Sequence, residues 1–453
     1  MLSGRTSFGF LAMSVASMLT SAVFESPAGA RSIAPLPSNS PIALASGFRS
    51  ACLLQAGGKI YCWGDNSSGQ LGNPWSESNF FGTYEATAHP VLQNLDFSEL
   101  TGAIAITMGN RHGCAITSDG KVMCWGANDR GQLGIGLADS PISPRAAVYV
   151  EGLGGSANVL GSPQPKAIAI AAGTSHTCAL LDTQQVACWG DNEFEQAGQP
   201  YPACTPDCAP EELVLVAPAI VNISASLVPF ADGAIVAGAT HTCVLTRDFG
   251  GLPVCWGSNE FGQLGRNVVA SGAGPSSLYF PDLPNYSVPQ LTDTDGGLTR
   301  LASNANASDT CVLSGVGRVY CWGYDDYRQL GVAISGGQSN QPQWSTSGAS
   351  GIAVGQDDAC AILSSGRLQC WGLNNSGQLG FVSANPSSTY PPVMGPIASY
   401  VDAISMGLDF VCAIVNYTSV QCWGSNVSGS LGRGVEPAAL LSSPIPAAVQ
   451  LSQ

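Results

Sequence analysis

Charge is what this sequence most lacks. Only 10% of its 453 residues are Asp, Glu, Lys or Arg, against about 25% in an ordinary soluble domain. Lysine is nearly missing, with three residues against thirteen arginines, and the formal net charge is −15. That balance excludes a phosphate-backbone binder, which needs clustered Lys and Arg, so no nucleic acid partner is expected. Histidine is also scarce, at four residues, too few for a set of zinc sites built with the cysteines. Neither a Gly-x-Ser-x-Gly elbow nor a phosphate loop is present, and the carboxylates fall one or two per loop, as on a solvated surface. Asp325-Asp326 and Asp357-Asp358 are adjacent pairs without calcium-loop spacing. No cofactor, metal or catalytic residue is assigned, and a non-enzyme is expected. A hydrophobic content of 45% argues against disorder and for a large core.

Between Arg5 and Glu25 the chain carries no charge, and Ala28-Gly29-Ala30 then offers a small-x-small cleavage pattern. Residues 1–30 therefore read as a secretory signal peptide, followed by a short leader at 31–41. The expected location is secreted, cell-surface or periplasmic, with no membrane span after cleavage. A second uncharged run, Leu213–Ala231, contains Pro218 and Pro229 and reads as two strands and a turn.

What is present is a repeat. Cys-Trp-Gly occurs seven times, beginning at Cys62, Cys124, Cys188, Cys255, Cys321, Cys370 and Cys422. A second cysteine precedes each by ten residues, or by twelve in the fourth repeat. Downstream lies a turn such as Asn66-Ser-Ser-Gly69-Gln70-Leu71-Gly72; the third repeat has Glu195 and Ala197, the fifth Arg328 and the seventh Ser430 at otherwise regular positions. Within one unit, Ala103–Met108, Gly113–Thr117, Lys121–Trp125 and Ala146–Val150 read as strands, the middle two joined at Ser118-Asp119-Gly120. Four strands in each of seven repeats predict an all-β, seven-bladed β-propeller over residues 42–453, one domain with insertions at 73–89, 199–212 and 266–298.

The hairpin explains the cysteines. Cys52 and Cys62 fall opposite each other, and opposed Cα atoms lie roughly 4.5–5.5 Å apart, within disulfide range. One bridge per blade follows: Cys52–Cys62, Cys114–Cys124, Cys178–Cys188, Cys243–Cys255, Cys311–Cys321, Cys360–Cys370 and Cys412–Cys422. Cys204 and Cys208, in a proline-rich insertion, pair by elimination. Cys and Trp are neighbours in the strand, so they point to opposite faces. The disulfide of each blade should then face the Trp of the next.

The pattern Gly-x-x-His-x-Cys-x-Leu, then Cys-Trp-Gly-x-Asn-x-x-Gly-Gln-Leu-Gly, resembles the regulator of chromosome condensation repeat, over about Ile42 to Val449. The resemblance implies a propeller that binds other proteins. The founding member is a nuclear exchange factor for a small GTPase that docks on nucleosomes; here the leader, the absence of a basic tail and the paired cysteines depart from it. Secreted bacterial members bind and inhibit β-lactamases through one propeller face, which is the nearer analogy. The expected function is an exported scaffold, monomeric, that binds a protein or a glycan through one face. The alternative is a guanine-nucleotide exchange factor or its regulator.

His112, His176 and His241 hold one position in repeats two to four, where the other repeats have Ser50, Asp309, Asp358 and Phe410. Metal binding is conceivable there, but the resemblance implies a histidine that fixes a turn. Seven sequons occur, and those at Asn66, Asn374 and Asn426 lie in the repeat's own turn, where Asn serves the backbone. Candidate partner-binding residues are the aromatics of two insertions: Trp75, Phe80, Phe81 and Tyr84 in the first repeat, Tyr279, Phe280 and Tyr286 in the fourth. Such side chains are enriched at interface hot spots.

Overall fold

The computed structural model describes residues 35–73, 84–94, 96–136, 146–154, 164–200, 213–223, 233–246, 253–265, 297–382 and 389–452. The signal peptide expected at 1–30 and the Cys204/Cys208 pair lie outside them. Seven antiparallel sheets follow one another along the chain, six with four strands in sequential order. Blade four shows three strands, Ile235–Ala237, His241–Leu245 and Pro253–Gly257, and the place of its outer strand falls at residues not described. Blade two runs Ala103–Met108, His112–Thr117, Val122–Gly126 and Val148–Tyr149, close to the strands read from sequence. Among the described residues no helix is long and apolar enough to cross a membrane.

Innermost strands pack first strand to first strand around the ring, blade seven against blade one included. In blades two and three these strands read Ala-Ile-Ala-Ile-Thr-Met and Ala-Ile-Ala-Ile-Ala-Ala, and small residues suit the narrow inner end of a blade. Closure uses no exchanged strand: Pro41–Ser46 stays in blade one and Ser442–Ala448 in blade seven. Instead, Leu408 N–H donates to the Phe48 carbonyl at 3.0 Å, and Ala88 exchanges backbone bonds with Gln450 and Ser452 at 2.8 and 2.9 Å.

The cysteine pairs of all seven blades sit at bonding distance, with Cα atoms 4.1 Å apart. Each packs in a buried cluster with the tryptophan of the following blade. Cys52 and Cys62 lie with Trp125, Cys114 and Cys124 with Trp189, and so on round to Cys412 and Cys422 with Trp63. The alternation argument thus holds at every seam. The glycine of Cys-Trp-Gly has a mechanical reason as well. Gly64 takes φ +102°, and a Cβ there would lie 2.3 Å from the Arg49 carbonyl oxygen. At the same level the third and fourth strands slip register around the Trp, as between Cys62 and Gly64.

Two features add to the sequence reading. Of the two strands expected in Leu213–Ala231 one, Val214–Val221, is described, with Pro218 inside its register shift between Leu215 and Ala219; residues 224–232 lie outside the described residues. In blade five, the connection from Ala302 to Asp309 is longer than its counterpart from Met108 to His112. This loop reaches across the axis. Asn304 Nδ2 donates to the carbonyls of Ser46 (3.3 Å) and Met406 (2.7 Å). Ala307 accepts from Ala239 N–H at 2.8 Å, and Ala305 from the Thr174 hydroxyl at 2.5 Å. One loop therefore ties blade five to blades one, three, four and seven.

Asn304→Ala should cost about 1–3 kcal/mol, because two carbonyls lose a buried donor; denaturant titration measures it. Gln184 holds φ +62° in an exposed hairpin where blades one, two, five and six place Gly58, Gly120, Gly317 and Gly366. Gln184→Gly should stabilise by up to about 1 kcal/mol, and a fall in the unfolding midpoint would contradict this.

Candidate functional site

Each blade has two rims. The tight hairpins between second and third strands form one. The other carries the first-to-second turns and the start of the Asn-x-x-Gly-Gln-Leu-Gly turn, which are bonded to each other: Ala127 N–H donates to Arg111 O, Leu373 N–H to Asp357 O and Ser425 N–H to Asp409 O. This second rim, the turn rim, holds the side chains singled out in the sequence.

The signature turn is an internal device. The Oδ1 of Asn66, and its equivalents through Asn426, accepts a backbone N–H five residues on, at 2.9–3.2 Å in all seven blades. The glutamine Oε1 accepts the N–H two residues before it at 2.7–3.0 Å in six blades. Its backbone carbonyl then receives the indole N–H of the next blade's tryptophan, at 2.7–3.0 Å; at the closing seam Ser430 O takes this place. Asn66, Asn374 and Asn426 are buried, so their backbone role outranks their sequon pattern. Glu195 and Arg328 occupy the left-handed glycine position with φ +62° and +67°.

His112, His176 and His241 are fully buried. Their Nε2 atoms lie 2.8–2.9 Å from the hydroxyls of Thr177, Thr242 and Thr310 in the following blades. Those hydroxyls donate onward to the carbonyls of Gln132, Gln196 and Gln263 at 2.9–3.1 Å. The hydroxyl proton being so committed, the imidazole must donate from Nε2; its buried Nδ1 has no hydrogen-bond partner, and burial disfavours a second proton there. The glycine three residues earlier leaves room for the ring, since a Cβ at Gly109, Gly173 or Gly238 would fall 2.0–2.1 Å from the imidazole Cε1. Burial drives the three pKa values down to about 4, 3 and 4. Among the described residues no group of three or more His, Cys, Asp or Glu could hold a metal ion.

The same position in blades five and six is Asp309 and Asp358. The next blades offer Ala359 and Val411 in place of threonine, and none of the four carboxyl oxygens has a hydrogen-bond partner. Both groups are buried, and burial, aided by neighbouring carboxylates, raises both pKa values well above the ordinary range. Asp325 is buried too; burial brings it to about 6 although Leu330 N–H and Arg328 oppose the shift. The carboxylates of this arc are therefore not a solvated surface, contrary to the sequence reading. Asp357 beside them, half-buried at the rim, is likewise pushed up to about 6 by burial.

Of the seven candidate aromatics, Tyr84 alone lies among the described residues; Trp75, Phe80, Phe81, Tyr279, Phe280 and Tyr286 lie outside. Tyr84 opens the fourth strand of blade one opposite Asp65 and donates its hydroxyl to Glu436 of blade seven, across the closing seam. Sequence reasoning missed a second aromatic group on the turn rim. Phe261 meets Tyr324 edge-on at 5.1 Å between centroids, and Tyr324 meets Tyr327 at 6.4 Å. These residues come from the signature turns of two adjacent blades, and only the ring geometry brings them together.

A family model described as an RCC1-like domain matches residues 4–381. The human probable E3 ubiquitin-protein ligase HERC6 is 27% identical over 295 residues, covering 64% of this chain and 24% of that protein. The Arabidopsis thaliana ultraviolet-B receptor UVR8 is 25% identical over 280 residues, covering 61% and 52%. The chain thus spans about a quarter of the first relative and about half of the second. Among solved structures, human WBSCR16 superposes with a TM-score of 0.65 at 20% identity, covering 86% of this chain and 93% of that one. Prp20p of Saccharomyces cerevisiae gives 0.63 at 17% identity, covering 88% and 87%.

Opposite pH trends should follow from the inner ring. Below about pH 6.5 the unfolded chain binds protons that the buried histidines refuse until about pH 3–4, so stability falls as pH drops. Above about pH 4 the unfolded chain releases protons that Asp309 and Asp358 keep when folded, so stability also falls as pH rises. Asp309→Asn with Asp358→Asn should flatten the upper slope between pH 5 and 8, and His→Gln at 112, 176 and 241 the lower one, in denaturation measured across pH 4–8. Unchanged slopes would contradict the assignment.

Proposed function

The chain belongs to the RCC1-like domain family, and from that premise we propose that it is an exported scaffold that binds another protein through its turn rim. The family includes GTPase regulators and protein-binding scaffolds, and its propeller is ordinarily an interaction or regulatory domain rather than an enzyme. One observation carries the choice of face. The long insertion of repeat one follows the third strand of its blade, after Asp65, and its described end returns at Tyr84 opposite Asp65 on the turn rim. Tyr84 thus shares the turn rim with the aromatic group of Phe261, Tyr324 and Tyr327. Export is supported by the uncharged run between Arg5 and Glu25 and by seven cysteine pairs at disulfide distance, which persist in oxidising compartments.

Capture from the native medium or cell surface, with the mature chain as bait, tests this reading. A specific protein should be retained, and Trp75→Ala with Phe80→Ala and Phe81→Ala should weaken retention at least tenfold while the thermal midpoint holds. Unfolding of that variant would assign the aromatics to the fold instead. Accelerated nucleotide release from a small GTPase would replace the scaffold by an exchange factor.

A further inference from the structure

The two rims differ in charge. All three lysines stand on the hairpin side: Lys59 and Lys121 in hairpins, paired with Glu99 and Asp119, and Lys166, whose backbone bonds to Asp182 of another hairpin. On the turn rim, blades one and two carry Arg49, stacked over Phe48 at 5.0 Å, and Arg111, paired with Asp129. Blades six and seven carry Asp357 and Asp409 at the positions of those arginines, and blade five carries Asp326 at that of Asp129; all three are exposed or half-buried. Asp357 lies within electrostatic reach of both Asp326 and Asp409. Tyr324 joins them, with its hydroxyl on Asp326 Oδ2 at 2.8 Å and Asp357 close enough to act on it. Through Tyr324 the acidic arc continues into Phe261 and Tyr327.

Beneath the arc lie Asp309 and Asp358. They are buried, their carboxyl oxygens lack hydrogen-bond partners, and each is within electrostatic reach of Asp357. Arg49 bears on Asp409 and Arg328 on Asp325, but no cation faces Asp357 among the described interactions, and the protonated Asp309 and Asp358 beneath it supply none. An anionic partner would be repelled here, and an apolar one would strip water from carboxylates without replacing it. An ammonium or guanidinium suits both halves of the patch. It pairs with the carboxylates by charge-assisted hydrogen bonds, and it is attracted to aromatic faces within about 6 Å of their centroids.

We infer that Phe261, Tyr324, Asp326, Tyr327, Asp357 and Asp409 form a docking site for a protein segment carrying Lys or Arg side chains. The inference rests on the scaffold reading above and specifies the partner chemistry that one arc of the turn rim selects.

The test uses the whole mature chain and two fluorescent octapeptides, one alternating Lys and Arg and one of Glu. The basic peptide should bind, the acidic one should not, and binding should weaken at least tenfold between 50 and 500 mM salt. Asp326→Asn with Asp357→Asn and Asp409→Asn should weaken it at least tenfold. Tyr324→Leu, which removes the ring but keeps an apolar side chain, should weaken it about threefold. Glu99→Gln with Asp119→Asn on the hairpin rim should leave it unchanged, and thermal midpoints confirm folding of each variant. Equal binding to the turn-rim variants, or loss in the hairpin-rim variant, overturns the site. If the bait retains a protein but the basic peptide fails to bind, the scaffold stands and the cationic docking site falls. If the peptide binds as described but no protein is ever retained, the site stands and the scaffold reading falls.

Discussion

The structure depends on a seam repeated around the ring, at which one blade lays its tryptophan on the disulfide of the blade before it. The indole is buried to 5% exposure or less in every blade, and its N–H reaches the preceding blade's turn carbonyl. An indole contributes a large apolar surface, and its one donor must be satisfied when buried. That single requirement fixes the turn: Asn and Gln side chains brace the backbone so that one carbonyl points at the neighbour. Charge is scarce because most of each blade faces another blade rather than water.

Variation among the repeats is then organised, not random. Threonine follows the ring position in blades three, four and five, which are the blades after those with histidine. Where the following blade has Ala359 or Val411 instead, the ring residue is aspartate without a partner. A neutral imidazole with a bonded Nε2 and an unbonded buried carboxyl respond to pH in opposite senses. The inner ring thus holds two chemistries on two arcs, and the acidic arc lies under the acidic part of the rim. On this chain the distribution of function follows from how neighbours pair, because no blade buries its own faces.

Much of this was legible from spacing alone. The ten-residue interval between cysteines and the Cys-Trp adjacency together specified the bridge, its face and its neighbour, because strand alternation and hairpin register are local rules. The reading of Asn66 as a backbone residue was equally local. The carboxylates misled, since Asp309, Asp325 and Asp358 look like ordinary loop residues until the ring buries them. Asn304 was invisible for the same reason: its partners, Ser46 and Met406, are 258 and 102 residues away in sequence. The only clue was the loss of the Gly-x-x-His spacing in the fifth repeat.

By itself, then, the sequence determined the blade: its four strands, its cross-strand cysteines, its braced turn and the number of copies. Closure decided the rest. When seven blades meet, residues far apart in the chain share a rim, first-to-second turns converge on the axis, and solvent is excluded from side chains whose local context is polar. Burial, pairing across seams and the meeting of Phe261 with Tyr324 are properties of that convergence. They depend on distances through space, which a repeat's internal spacing does not encode.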